Sequence, residues 1–299
     1  MPSEADKLKA RQRLALRAER AFGLSAIRFS QRSQDAVAPQ DEMHEPPPQV
    51  HPADGPSQRD VGIPATPTSG TNLFGQAVDA LRTPPPVVSS HAALTPEILS
   101  TDEKRLRLRQ LDENEVRGCT KCRLCEKRTN TVFGEGDPDS KIFFIGEGPG
   151  ENEDLQGRPF IGRAGELLNK WIAAMGLRRE QVFIANIVKC RPPGNREPAP
   201  DETATCTPYL QRQLEIIRPH VIITLGRPSA QYMLQSKLSM GKLRGQWHAW
   251  RGIKLMPTFH PAYVLRSYND QTRAAVWSDL KNVMAELGLP VPPSSKRSQ

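Results

Sequence analysis

Four short apolar runs divide the second half of the chain: Lys141–Ile145 (KIFFI), Val182–Val188 (VFIANIV), Val221–Leu225 (VIITL) and Ile253–Phe259 (IKLMPTF). They are nearly continuous rather than alternating, the pattern of strands buried on both faces. Between them the apolar spacing changes to helical. One stripe runs through Leu167, Leu168, Trp171, Ile172 and Met175, and a second through Leu210, Leu214 and Ile217. A third runs through Val276, Leu280, Val283 and Leu287 and is closed by Gly288 and Pro290, a helix stop in the expected order. Lys104–Val116 adds a charged helical pattern leading into Cys119. Strands joined by helical crossovers predict a parallel sheet with helices on both faces, an α/β domain over residues 101–289.

Composition separates this domain from what flanks it. Of 28 prolines, twelve lie between Asp35 and Ser100, where large apolar residues are scarce. Such a stretch cannot offset its chain entropy by burial, so residues 35–100 are expected to be linker, with Asn72–Leu81 as a small apolar island suited to docking. Residues 1–34 carry eight basic and three acidic side chains. Leu14, Ala18, Ala21 and Phe22 within them give the spacing of a short basic amphipathic helix. Residues 290–299 read as a flexible tail.

The chain carries a formal charge of +8, which favours a polyanionic partner. No apolar run reaches the roughly 18 residues of a membrane span, and the basic N-terminus lacks the apolar segment of a secretory signal. The expectation is a monomeric cytoplasmic protein with no membrane partner.

The strand ends carry the chemistry. The first is followed by GEGPGENEDLQGRPF (Gly146–Phe160). The second contains Asn186 and ends in Lys189-Cys190, the third ends in Gly226, and the fourth ends in His260-Pro261. In an open parallel sheet these ends share one edge, where ligands bind. The glycine turn matches neither a Walker A sequence nor G-x-G-x-x-G, but it allows close approach of backbone N–H groups to a flat ligand. A histidine leaving a strand, braced by proline, can donate a hydrogen bond to a developing anion. Five cysteines in a chain without a secretory signal point to thiols or a metal site. Cys119 and Cys122 form a C-x2-C pair, with Cys125, Cys190 and Cys206 beyond it. Four thiolates suit either zinc or an iron–sulfur cluster.

Taken together, GEGPG-ENED-LQGRPF-IGRAG, NIVKCRPP and HPAYVLR resemble the family 4 uracil-DNA glycosylases, the iron–sulfur type, over roughly Cys119 to Leu287. The resemblance implies a three-layer α/β/α fold with a central, mostly parallel four-stranded sheet. It also implies a [4Fe-4S] cluster on Cys119, Cys122, Cys190 and Cys206, leaving Cys125 over. It implies that uracil-containing DNA is the substrate and that the enzyme hydrolyses the N-glycosidic bond, leaving an abasic site. Uracil would lie against Gly146, Glu147 and Gly148, stack on Phe160, pair with Asn186 and face His260. Tyr263, Leu265 and Arg266 would contact DNA, the protein would be nucleoid-associated, and residues 1–100 would be the site for a repair or replication partner.

Asn186 would donate to uracil O4 and accept from N3–H, a pattern that cytosine reverses. The acids within reach of the glycosidic bond are Glu147, Glu153 and Asp154. Glu153 is expected to act alongside His260 and Asn186 in catalysis by positioning water. Arg191–Thr205 contains no histidine, so release of free uracil is expected rather than a covalent adduct. The competing readings are a non-enzymatic iron–sulfur DNA-binding protein associated with a polymerase, and a zinc-stabilised nucleotide-binding domain.

Overall fold

The computed structural model describes residues 99–267 and 269–291. The predicted N-terminal helix, nearly all of the linker and most of the C-terminal tail lie outside those residues. Among the described residues no helix is long and apolar enough to cross a membrane.

The four apolar runs form four parallel strands: β2 (Ile142–Gly146), β3 (Phe183–Asn186), β4 (Val221–Leu225) and β6 (Ile253–Thr258). Two short antiparallel strands extend the sheet at its edges, β1 (Glu135–Gly136) beside β3 and β5 (His248–Trp250) beside β6. The order is β1-β3-β2-β4-β6-β5, so the sheet has six strands where four are expected from sequence. The edge pair is too short for a hydrophobic pattern to register. β5 stops opposite Ile253 at one end and Leu255 at the other. Pro257, which has no N–H to donate, therefore faces a partner on the β4 side alone, a position that proline tolerates.

Among the described residues the α-helices are α1 (Thr101–Leu111), α2 (Glu151–Gln156), α3 (Arg163–Ala174), α4 (Pro200–Ile217), α5 (Arg227–Leu234), α6 (Met240–Leu243), α7 (Pro261–Arg266) and α8 (Asp270–Glu286). The helix expected over Lys104–Val116 ends its α-helical part at Leu111 and continues as one π turn, Asp112–Val116.

Alternate residues of β2 feed opposite layers. Phe143 and Ile145 pack with Leu210 and Leu214 of α4 and Leu111 of α1. Ile142 and Phe144 pack with Trp171 and Ile172 of α3 and Leu280 and Val283 of α8. This is the three-layer α/β/α arrangement, and each large side chain buried in it contributes about 1.5–3 kcal/mol.

One ionic brace crosses the α8 layer. Asp279 is fully buried and accepts hydrogen bonds from Thr258 Oγ1 (2.7 Å) and from Arg244 Nη2 (2.7 Å) and Nε (3.1 Å). Arg244 also donates to Ala275 O and sits over the Phe259 ring. The brace ties the end of β6 to α8 and to the segment after α6. Removing one partner of a buried pair strands the other, at a cost of about 3 kcal/mol. Asp279→Ala is therefore expected to lower the thermal midpoint by several degrees in a melt followed by circular dichroism, while Asp270→Ala on the exposed face of the same helix leaves it unchanged.

Candidate functional site

The carboxyl ends of β2, β3, β4 and β6 open onto one cavity of ≈ 770 Å³, lined among others by Glu147, Gly148, Phe160, Asn186, Gly226 and His260. Gly146 ends β2 and pairs in register with Asn186 at the end of β3. A Cβ on Gly146 would lie 2.6 Å from Phe160 Cζ and closer still to Asn186 Oδ1. Glycine at 146 thus keeps open the point where backbone, amide and aromatic ring meet.

Asn186 is 1% exposed, and neither its Nδ2 nor its Oδ1 has a hydrogen-bond partner among the described residues. Leaving such a group unpaired costs about 1–3 kcal/mol, and an orphaned amide at a cavity wall is what an absent polar ligand leaves behind.

Phe160 holds a left-handed backbone conformation, φ 51°, which is uncommon for an aromatic residue and is concentrated at functional sites. Its position is enforced from α3. A Cβ at Gly165 would overlap the Phe160 carbonyl, so only glycine lets the helix seat against that turn. The Phe160 ring lies 5.6 Å from the His260 ring, centroid to centroid.

His260 caps α7. Its Nδ1 accepts the Ala262 N–H at 3.1 Å, so the neutral ring carries its proton on Nε2. Burial, assisted by the Arg266 charge, lowers its pKa to about 4. At neutral pH it is an uncharged donor.

The three acids separate into different duties. Both oxygens of Glu153 are committed to backbone N–H groups: Oε2 accepts from Gly150, and Oε1 from Ile161 (2.9 Å) and Gly162 (3.0 Å). It lines the cavity, where the sequence expectation has it position water, with both oxygens already accepting backbone N–H groups. Its geometry is that of a tether closing the loop that carries Phe160. Asp154 is buried and accepts from the Thr129 and Asn130 N–H groups, away from the cavity. Glu147 lines the cavity, and its pKa is lifted to about 7 by burial and then by Glu197, against Arg227.

The expected DNA-contacting residues also divide. Tyr263 and Arg266 line the cavity, with Tyr263 stacked on Phe259 at 5.1 Å. Leu265, half-buried within α7, is not among the lining residues. The rim includes residues that sequence reasoning missed, Asn195, Arg196, Glu197 and Arg227 among them. Glu197 faces Arg227 at 3.7 Å.

A second, smaller chamber is lined by Cys119, Cys122, Cys190 and Cys206, with Arg128, Lys189 and Tyr209. Cys125 is not among its walls. Donors point at the sulfurs: Arg128 Nη1 to Cys190 Sγ (3.1 Å), Lys189 N to Cys206 Sγ (3.2 Å) and Tyr209 Oη to Cys119 Sγ (3.3 Å). Hydrogen bonds to sulfur are a feature of thiolate-ligated clusters. Among the described residues no three His, Cys, Asp or Glu side chains converge on a single-ion site. Four thiols spread round one chamber are a donor set that suits either a zinc ion or an iron–sulfur cluster.

The Uracil DNA glycosylase superfamily profile matches residues 133–281. A type-4 uracil-DNA glycosylase of Saccharolobus solfataricus is 50% identical over 183 residues, covering 58% of this chain and 84% of the relative. That of Thermotoga maritima is 47% identical over 179 residues, covering 59% of this chain and 93% of the relative. A type-5 uracil-DNA glycosylase of Pyrobaculum aerophilum is more distant, at 26% over 42% of this chain and 63% of the relative. With near-half identity along nearly the whole length of such relatives, and with the sheet-edge cavity already described, this chain belongs to the type-4 uracil-DNA glycosylases.

Proposed function

We propose that the cavity receives a uracil flipped out of DNA and that the chain's own residues cleave its N-glycosidic bond. The observation that carries this reading is the fully buried, unpartnered amide of Asn186 beside Gly146 and Phe160. Extruding the base costs about a few kcal/mol. Stacking on Phe160 and two hydrogen bonds to Asn186 offset that cost. Asn186 Nδ2 donates to O4 and Oδ1 accepts from N3–H. Cytosine presents the reverse pattern and would leave both atoms unpaired, a strong basis for rejection.

As the bond between C1′ and N1 breaks, its electron pair leaves with uracil and the charge spreads to O2. The Nε2–H of His260 and the N–H groups of the glycine turn would stabilise that anion. A preorganised donor of this kind is worth about 3–4 kcal/mol. Neutral His260 can donate from Nε2 because its Nδ1 is occupied in accepting the Ala262 N–H. Water adds its oxygen to C1′ and gives up a proton, for which Glu147 is the acceptor. Its carboxylate form also favours the positive charge developing on the sugar. Tyr263 and Arg266, with the basic rim, would hold the flanking DNA. The lack of histidine in Arg191–Thr205 supports release of free uracil.

The four chamber cysteines would hold a [4Fe-4S] cluster. Bound there, it cross-links the Cys119–Cys122 loop to the exit of β3 and to α4, a structural service.

Purified, cluster-loaded protein should release free uracil from a single-uracil oligonucleotide and leave cytosine untouched. Asn186→Ala and Gly146→Ala should each lower the rate by at least about 100-fold, the second by filling the slot at an unstrained backbone position. Equal rates in all three proteins would defeat the assignment.

The rate against pH should also carry a Glu147 signature. Below about 7 kcat/KM should fall as the carboxylate takes up its proton, and Glu147→Gln should lose about 100-fold in kcat together with that limb. The same substitution should raise the melting temperature above pH 7, where wild type holds a desolvated charge. The gain should vanish below pH 4.5, the group's ordinary value, where both states are protonated.

Iron analysis tests the chamber. Cys190→Ser and Cys206→Ser should each lose iron and visible absorption, whereas Cys125→Ser should keep both; one equivalent of zinc in the wild type would overturn the cluster.

A further inference from the structure

The two chambers are joined by a carboxylate that neither of them uses. Glu202, in the first turn of α4, is 0% exposed. Four N–H donors from two segments satisfy it. Arg123 Nε reaches Oε1 at 2.7 Å, from the loop immediately after Cys122. Arg196 donates twice, Nη2 to Oε1 at 2.6 Å and Nη1 to Oε2 at 2.8 Å, from the rim of the substrate cavity. The Ala199 N–H donates to Oε2 at 2.8 Å.

The same helix carries Cys206 one turn further on. Both guanidinium groups are partly exposed, Arg123 57% and Arg196 41%. Arg123 Nη2 also reaches Asp201 Oδ1 at 3.3 Å and Arg196 Nη1 the Glu197 carbonyl at 3.0 Å. Glu202 thus holds the inner edges of both groups, and Arg196, on the cavity rim, keeps an exposed edge where a phosphodiester would approach. The rim segment itself, Arg191–Ala199, contains three prolines and one short 3-10 turn at Pro193–Asn195. It has few ladder hydrogen bonds of its own to fix it.

We propose that the Arg123–Glu202–Arg196 bridge positions the rim of the uracil cavity from the cysteine chamber, so that Glu202 and Arg123 act as positioning residues for DNA entry. The proposal rests on reading that cavity as the uracil site. The bridge makes the cluster loop one wall of the DNA-binding face without the cluster touching substrate. Arg196 is then the residue that reaches the backbone flanking the flipped nucleotide, and Glu202 fixes which way it points.

The test uses full-length, cluster-loaded protein with Arg123→Ala and Arg123→Lys. Arg123 is more than half exposed, so its truncation leaves the core and all four chamber cysteines untouched. Arg123→Ala should raise KM for uracil-containing DNA about tenfold, the scale for truncating one partner of a hydrogen-bonded charge pair, with kcat changed less than about twofold. Arg123→Lys, which keeps a charge-assisted bond to Glu202, should recover a substantial part of that loss. Limited trypsin digestion without DNA, followed by mass spectrometry, should cut faster after Arg196 in Arg123→Ala, the bond after Arg191 being protected by Pro192. Cleavage after Arg251, in the distant β5–β6 turn, should keep its wild-type rate.

Unchanged KM and unchanged loop cleavage would overturn the proposal. So would a fall in kcat at constant KM, or a lysine variant as impaired as alanine. The digestion is read without substrate. A chain that released no uracil would therefore defeat the functional reading and leave this one to be decided by the loop.

Discussion

Strand pairing at the carboxyl edge of the sheet governs the rest of the site. Gly146 and Asn186 are partners in the parallel ladder between β2 and β3, and their side-chain positions converge on the same small volume. One residue of slip would turn Asn186 to the opposite face and place a different residue opposite Gly146. The register is held by Phe143, Phe144 and Ile145 against Phe183, Ile184 and Ala185, all buried in the two helical layers. The hydrophobic cores therefore do more than stabilise. They fix, to within a fraction of a residue repeat, where one amide stands relative to one missing side chain.

Around that pair the fold accepts local costs. Asn186 keeps two polar atoms buried and unsatisfied, Phe160 sits at positive φ, and Glu147 is desolvated near another carboxylate. Each is of the order of about 1–3 kcal/mol for groups of this kind. They persist because tethers over-determine the loop: Glu153 gathers three amides, Asp154 pins the 129–130 segment, and Gly165 admits the Phe160 carbonyl. A binding site assembled this way is rigid before substrate arrives, which is how donors gain their effect on a developing anion.

The sequence made the parallel strands, the helical stripes and the convergence of strand ends readable, because each is a repeating pattern. What it hid depends on returns of the chain through space. Glu153 reads as a free acid in an acidic loop. The Gly150 N–H, three residues back, donates to Oε2, and only the return of residues 161–162 shows Oε1 to be occupied as well. Gly165 lies in the IGRAG motif, but nothing along the chain says that its missing Cβ admits the Phe160 carbonyl. Glu202 carries no signal along the chain either, since its partners lie 79 positions back at Arg123 and six back at Arg196. β1 and β5 were invisible because two or three residues carry no period.

Lys189 shows why recognition and the cysteine chamber are difficult to separate. Fully buried, it donates from Nζ to the Asn186 carbonyl at 3.0 Å and to Gln213 Oε1 at 2.7 Å on α4, while its own N–H reaches Cys206 Sγ. Gln213 in turn donates to Phe133 O. Burial draws its pKa down to about 8, and the hydrogen bonds supply what solvent no longer can. The strand leaves Asn186, the residue proposed to read the base, and arrives four residues later at Cys190, which faces the chamber. Between them a single lysine fixes the backbone at one end and the helix on the other side. A loosened chamber would therefore shift the carbonyl of the residue whose side chain is proposed to meet uracil, through covalent neighbours and two hydrogen bonds.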